Sequence, residues 1–268
     1  MTSQTLLVTD LDGTLWFDGE TCHPKSLRAF RIILDSGIPI LIATGRRLRI
    51  VAEAFAQFGW EVPCLLLNGS LCYDFRKKRD IFSVPFSQAS SASILKIFNA
   101  NGLSPTIYAD DSFVYVNETT TSNGHIDAIG SDLRNVTDLN IYDKGLAVLN
   151  FCILGVPKAD LVNVVSELRS SGLGNPSFYT DKLFGGYSLT VQPPDVSKWS
   201  GIQQWCATEH IKPTKIVVVG DAGNDLEMLA NADTAIVVKG AEKNLLDLAD
   251  HIIEGPDIGG WAELLELI

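Results

Sequence analysis

The chain begins and ends on one rhythm. Short, continuously apolar runs alternate with helical patterns, and several of the runs stop on small or acidic residues. Near the start the runs cover residues 5–9, 38–43 and 64–67. A helix is expected from Pro24 to about Ser36. A second carries Ile50, Val51, Ala54, Phe55 and Phe58 on one side. Pro24 suits a first helical turn, and Gly37 and Gly59 suit the ends. Near the other end a helix over about 198–210 leads into runs at 216–219, 234–238 and 251–253. Helices are expected at 226–230, about 242–249 and from Gly260. Runs that are apolar throughout, separated by helices, predict right-handed βαβ units and a parallel sheet covered on both faces.

Between residues 81 and 190 the rhythm breaks. Helices are expected at 89–99 and 157–170, and strands at 106–109, 113–117, 148–154 and 187–192. Strands and helices mixed with hairpin-like turns suggest a separate α+β domain. The expected architecture is α/β: a Rossmann-like parallel-sheet core from residues 1–80 and 191–268, with an α+β domain inserted at 81–190.

With 268 residues, 46% of them hydrophobic, the chain can bury a substantial core. No apolar run approaches the roughly 20 residues that cross a bilayer. Residues 1–9 carry no basic segment and do not read as a signal peptide. The formal charge, 21 − 32 = −11, argues against nucleic acid or anionic membrane as partners. An anionic substrate stays compatible, because a metal and a few cations can dominate one pocket. The five cysteines are widely spaced with no Cys-x-x-Cys, and the four histidines lack metal-ligand spacing. Free thiols in a reducing cytoplasm are expected, and a zinc site is not.

Asp10-Leu11-Asp12-Gly13-Thr14 follows the first run. Ligands of open parallel sheets gather at the carboxyl ends of the strands. Two carboxylates there can divide nucleophilic attack from proton transfer and together attract a hard cation such as Mg²⁺. A turn with capping side chains fits the same residues. Thr44-Gly45-Arg46 follows the second run as a phosphate cradle of hydroxyl and backbone N–H groups, or as a plain N-cap. Gly220-Asp221-Ala222-Gly223-Asn224-Asp225 follows the run at 216–219, where Asp221 and Asp225 can supply oxygen ligands or simply form a turn. Lys198 stands at a helix start, where a cation opposes the helix dipole. It can neutralise a phosphate or a carboxylate, or lie solvated on the surface. Parallel strands bring these ends to one edge, and random turns have no reason to gather two acidic clusters, a hydroxyl and a cation there.

In order and spacing these motifs resemble the haloacid dehalogenase superfamily, and most of all its Cof-type phosphatases, whose α/β cap is inserted after the third core strand. Asp10 to Leu15 resembles the nucleophile motif, Thr44-Gly45-Arg46 the phosphate-binding motif, and Asn68-Gly69 the turn after the third strand. Val196-Ser197-Lys198 resembles the lysine motif and Gly220 to Leu229 the acidic motif. The chain departs from the family at Trp199, where members often have Gly, and at Gly255 to Trp261, which only loosely follows an Asp-Gly-Val ending.

The resemblance implies a Mg²⁺-dependent phosphatase for a small phosphorylated metabolite, sugar phosphates first, with 81–190 as the cap. It implies that Asp10 forms an aspartyl phosphate and that Asp12 moves protons. Mg²⁺ would be held by the Asp10 carboxylate, the Asp12 backbone carbonyl and Asp221. Thr44, Gly45, Lys198 and Asn224 would hold the phosphate, with Asp225 and Asn68 in support. A phosphomutase on the same scaffold needs cations for a second phosphate, whereas residues 81–190 hold six Lys or Arg against ten Asp or Glu. A non-catalytic binding protein is opposed by the presence of all four motif groups, and a dehalogenase by Asp12. In the inserted region Tyr108, Tyr115, Tyr179, Phe184 and Tyr187 can stack on a sugar or pack their own sheet.

Overall fold

The computed structural model describes residues 5–268. Residues 1–4, part of the stretch read as lacking a signal peptide, lie outside the described residues. The chain divides into two compact units. The first contains the chain up to Arg46, Ile50–Ile81 and Lys198–Ile268; the second contains Arg47–Arg49 and Phe82–Ser197.

The first unit is built on an eight-stranded sheet. Across it lie His251–Ile253, Thr234–Val238, Lys215–Gly220, Thr5–Thr9, Ile40–Ala43, Pro63–Leu66, Leu71–Asp74 and Arg79–Ser83. The first six are parallel, as the apolar runs predict. Leu6, Leu7 and Val8 are completely buried, because helices cover both faces of the central strands. The helix Pro24–Asp35 buries Ala29, Phe30 and Ile33, and Leu48–Phe58 buries Val51, Ala54 and Phe55. His23 caps the former by accepting the Lys25 N–H on Nδ1 at 3.2 Å.

Two strands extend the sheet beyond the sequence expectation. Leu67, Asn68 and Gly69 all have positive φ (50°, 54° and 103°), and this turn folds Leu71–Asp74 back antiparallel on Pro63–Leu66. Arg79–Ser83 then continues the edge. A small hairpin, Trp16–Phe17 with Thr21–Cys22, follows the first strand. The helix expected at about 242–249 is confined to Lys243–Leu246, and the last helix is two 3₁₀ turns before Leu264–Leu267.

The second unit has its own sheet, ordered Leu133–Asn135, Val114–Val116, Thr106–Ala109, Val148–Val156, Tyr187–Gln192 and Asn175–Thr180. Helices Gln88–Ala100 and Lys158–Ser171 close its core, in which Ile94, Phe98, Phe151, Leu161, Val164, Leu168 and Leu189 are buried. This unit runs on to Ser197, past the sequence division at residue 190. Tyr187–Gln192 pairs along its length with Asn175–Thr180, and Asn175 Nδ2 donates to the Val196 carbonyl at 2.8 Å. Arg47 and Arg49 join it because both guanidinium groups hold Asp132, the latter through Nε at 2.7 Å.

Among the described residues no helix is long and apolar enough to cross a membrane. All five cysteines are free thiols.

Candidate active site

Strand register brings the motifs level. Thr9 lies opposite both Val219 and Ile42, so Asp10, Gly220 and Ala43 stand side by side at the strand ends. Asp10 is fixed there by its own N–H, which donates to the Val219 carbonyl at 3.0 Å. The Leu11 carbonyl then accepts from Thr14, Leu15 and Trp16, winding the chain into a tight loop. Gly13 sits in that loop at φ +79°, a conformation that suits glycine. A Cβ there would lie 2.8 Å from Asp221 Cγ. The first motif is thus pressed onto the last, and Thr14 Oγ1 donates to Asp221 Oδ1 at 3.0 Å.

Lys198 opens the helix Lys198–Thr208 and is buried, so it is no surface lysine. Its ammonium donates to Asp10 Oδ1 at 2.7 Å and to Asp225 Oδ1 at 2.6 Å. Burial alone would lower its pKa; the charges of Asp10 and Asp225 and their hydrogen bonds reverse this and hold it above the ordinary lysine value. The other Asp225 oxygen accepts the N–H groups of Asp221 (2.9 Å) and Ala222 (3.0 Å). Asp225 therefore fastens both Lys198 and the turn that carries Asp221.

Asp10, Asp221 and Asp225 each bring a carboxylate oxygen within 4.8 Å of the others. Burial, then Asp225, push the Asp10 carboxyl well above its ordinary value; Lys198 opposes this, and Asp221 and Asp12 add to it. Such a crowd of acids with one shared ammonium suits a hard divalent cation, which would offset their repulsion. The Asp12 carboxylate is not in this group. Arg46 grips it with Nε on Oδ2 at 2.8 Å and Nη2 on Oδ1 at 2.6 Å, while Nη1 reaches Glu20 Oε1 at 2.5 Å. Burial would lower the pKa of Arg46, but Asp12 and then Glu20 keep the guanidinium firmly charged.

Thr44 is no helix cap, since the following helix begins only at Leu48. Its Oγ1 accepts the Arg46 N–H at 3.1 Å, and a hydroxyl that accepts keeps its hydrogen for another acceptor. The Thr44 carbonyl accepts the Asn68 N–H at 3.0 Å. Gly45 lies under the Asn68 side chain, where a Cβ would be 3.2 Å from Asn68 Oδ1. Asn224 Nδ2 donates to that same Oδ1 at 3.0 Å, which ties the turn after the third strand to the last motif. Asn224 Oδ1 is buried with no partner among the described residues, an acceptor suited to water or a ligand hydroxyl.

A model of the haloacid dehalogenase-like hydrolases matches residues 7–265. The chain belongs to this family. The haloacid dehalogenase-like hydrolase described here is 26% identical to pyridoxal phosphate phosphatase YbhA of Escherichia coli, over 92% of each chain. It is 25% identical to a phosphoglycolate phosphatase of Methanopyrus kandleri, covering 97% of this chain and 95% of that one. A solved haloacid dehalogenase-like hydrolase from B. subtilis matches with a TM-score of 0.83 at 16% identity, over 97% of this chain and 98% of its own. That last likeness speaks for the fold.

The first unit of this hydrolase gathers the residues singled out in the motifs, from Asp10 and Asp12 through Thr44, Gly45 and Asn68 to Lys198, Asp221, Asn224 and Asp225. Trp199 is half-buried on the helix that Lys198 opens. Sequence reasoning gave no role to Arg46, though it stands within a quoted motif. It also missed Glu20, whose position carries no local signal, and the Thr14–Asp221 bond, which joins two motifs far apart in the chain. In the second unit Tyr115 is part of the core and Tyr108 bonds His125 Nε2 at 2.7 Å, so both serve that unit's own packing.

Proposed function

We propose that this hydrolase is a Mg²⁺-dependent phosphatase acting on a small phosphorylated metabolite through an aspartyl phosphate on Asp10. The observation that carries the reading is Lys198 bridging Asp10 and Asp225 directly beside Asp221. A carboxylate held by a buried ammonium, among further acids at a strand end, is an oriented nucleophile beside groups for a cation and a phosphate. The Asp10 and Asp221 carboxylates and the Asp12 carbonyl would hold Mg²⁺. When bound, the ion supplies positive charge that offsets repulsion between the carboxylates and a phosphate dianion.

The remaining work falls to side chains of the chain itself. Asp10 attacks phosphorus and displaces the alkoxide. Lys198, the Thr44 hydroxyl, the Gly45 N–H and the Asn224 amide hold the phosphoryl oxygens. Asp12 gives a proton to the leaving oxygen and later takes one from the water that cleaves the acyl phosphate. Arg46 donates to one lone pair on each Asp12 oxygen and orients the carboxylate, which leaves a second lone pair on each for the proton.

Relatives named for pyridoxal phosphate and phosphoglycolate share the phosphate ester and differ in the alcohol. We therefore assign phosphate chemistry to the first unit and choice of alcohol to the inserted unit as a cap, with sugar phosphates the favoured class from the Cof-type resemblance.

Two substitutions test the scheme. Asp10→Asn should form no phosphoenzyme with any substrate. Asp12→Ala keeps the nucleophile, and an aryl phosphate needs little protonation to leave. It should release a burst of aryl alcohol and accumulate hydroxylamine-labile phosphoprotein, with turnover down about 10²–10⁴-fold. Trapped phosphate in Asp10→Asn, or normal turnover of an alkyl phosphate by Asp12→Ala, would contradict it.

A further inference from the structure

Beneath the nucleophile runs a second line of hydrogen bonds, on Thr9 and Trp261, to which the sequence assigned no role. Thr9 is the last residue of the central strand, and its side chain is buried. Its hydroxyl donates to the carbonyl of Asp10 at 2.9 Å. The same oxygen accepts the indole N–H of Trp261 at 3.0 Å, from a residue 252 positions away. The direction of this line is forced. An indole nitrogen can only donate, a carbonyl can only accept, and a hydroxyl does one of each. With Trp261 donating, the Thr9 hydrogen is directed to Asp10. Bonds in such a chain polarise and strengthen one another in a dry interior.

The fold goes to some length to bring Trp261 there. Trp261 is fully buried, with its ring 5.7 Å from that of Phe30. Gly259 turns at φ +84° against the His23 ring, and at Gly260 the Glu254 carbonyl leaves no room for a Cβ. Both backbone groups of Asp10 are then tied, its N–H to Val219 and its carbonyl to Thr9. The peptide plane between Asp10 and Leu11 cannot tilt without breaking a buried bond. That plane sets the aim of the Asp10 carboxylate and the start of the loop to Asp12.

We infer that Trp261 and Thr9 are positioning residues for the nucleophile: their relay holds the Asp10 carbonyl, and through it the line of attack. This rests on the reading of Asp10 as nucleophile and adds what keeps it aligned. Neither residue touches substrate. Their loss should lower kcat and leave KM in place, since groups that hold the phosphate are untouched. A displacement of 1 Å in such a group costs about 10²-fold, and loss of the relay permits a fraction of that, so a fall of about tenfold is expected.

The experiment compares Thr9→Val, which keeps the shape without the hydroxyl, with Thr9→Ser, which keeps the hydroxyl. Trp261→Phe, and β-benzothienylalanine placed at position 261, remove the N–H, the latter at nearly constant volume. Steady-state kcat and KM are read on an aryl phosphate with Mg²⁺, well below each variant's Tm. Thr9→Val and either change at 261 should each lower kcat about tenfold with KM unchanged. The double change should be no worse than one alone, and Thr9→Ser should restore most of the rate. Unchanged kcat in Thr9→Val or in the benzothienyl protein, additive losses, or equal loss in Thr9→Ser and Thr9→Val would overturn the inference. The nucleophile reading fails separately, if the native enzyme hydrolyses no phosphomonoester or Asp10→Asn still does.

Discussion

Replacing Lys198 by Met tests the electrostatic design of the site at its centre. The ammonium is buried and serves two carboxylates, Asp10 at 2.7 Å and Asp225 at 2.6 Å. Met matches the length and apolar bulk of the stem but leaves both acids without their cation. Removing one member of a buried ionic group costs about 3–5 kcal/mol, because the charge left behind stays buried. At about 1.36 kcal/mol per decade, this is a fall of roughly 10²–10⁴ in the folding constant. The loss should depend on pH. Burial, then Asp225, already raise the Asp10 carboxyl well above the ordinary carboxylate range, and Lys198 opposes them. Without Lys198 the carboxyl rises further. A group that binds its proton more tightly when folded makes stability fall as pH climbs from the unfolded value through the folded one. The variant should therefore lose most at pH 7.5 and less at pH 5, where a proton replaces the ammonium. Urea unfolding in metal-free buffer, followed by tryptophan fluorescence, reads this directly. All five tryptophans (16, 60, 199, 205 and 261) lie in the first unit. Asp225→Asn added to Lys198→Met should recover part of the loss, since one of the two stranded charges is gone. A loss under about 1 kcal/mol at pH 7.5 would refute the reasoning, as would equal losses at the two pH values.

Chelation with EDTA should abolish phosphatase activity and added Mg²⁺ should restore it; full turnover after exhaustive chelation would remove the metal from the scheme. Arg46→Ala removes the two hydrogen bonds that orient the Asp12 carboxylate, so hydrolysis of an alkyl phosphate should fall about 10–100-fold. An aryl phosphate should suffer less, and equal loss on both would break the link between Arg46 and Asp12. In the second unit, burial and then Arg47 hold the His125 imidazole down to about 4. Its folded value lies below the unfolded one, so it favours folding above about pH 6.5, and this is lost as pH falls toward 4. Its C2 proton resonance should stay constant from pH 8 to pH 5, and a titration midpoint near 6.5 would show that the ring is solvated.

Where burial is symmetrical, the sequence speaks clearly. Thr5–Thr9, Ile40–Ala43 and Lys215–Gly220 are covered on both faces, so they spell continuous apolar runs, and their endings mark the motifs. Elements with one wet face were harder to read. Asn175–Thr180 is an edge strand, partly exposed along its length and interrupted by Pro176, and no periodicity announces it. Leu71–Asp74 exists because three consecutive positive φ angles reverse the chain before it.

The residue types at the site were legible because phosphate and metal chemistry demands acids, a hydroxyl and a cation at strand ends. Their partners were not. Thr44 could equally have capped a helix, and Lys198 could equally have faced solvent. Register and packing settle both, by starting the helix at Leu48 and by setting the ammonium between acids 188 and 27 positions away. The same holds for Arg46 on Asp12, 34 positions apart, and for Trp261 on Thr9, 252 apart. Propensity and periodicity act over a few neighbouring residues, so the sequence alone determined which segments become strands and which residues end them. A hydrogen-bond partner is chosen by distance and direction in space, and only the tertiary structure, by aligning the strand ends and excluding water, decided which acid meets which cation.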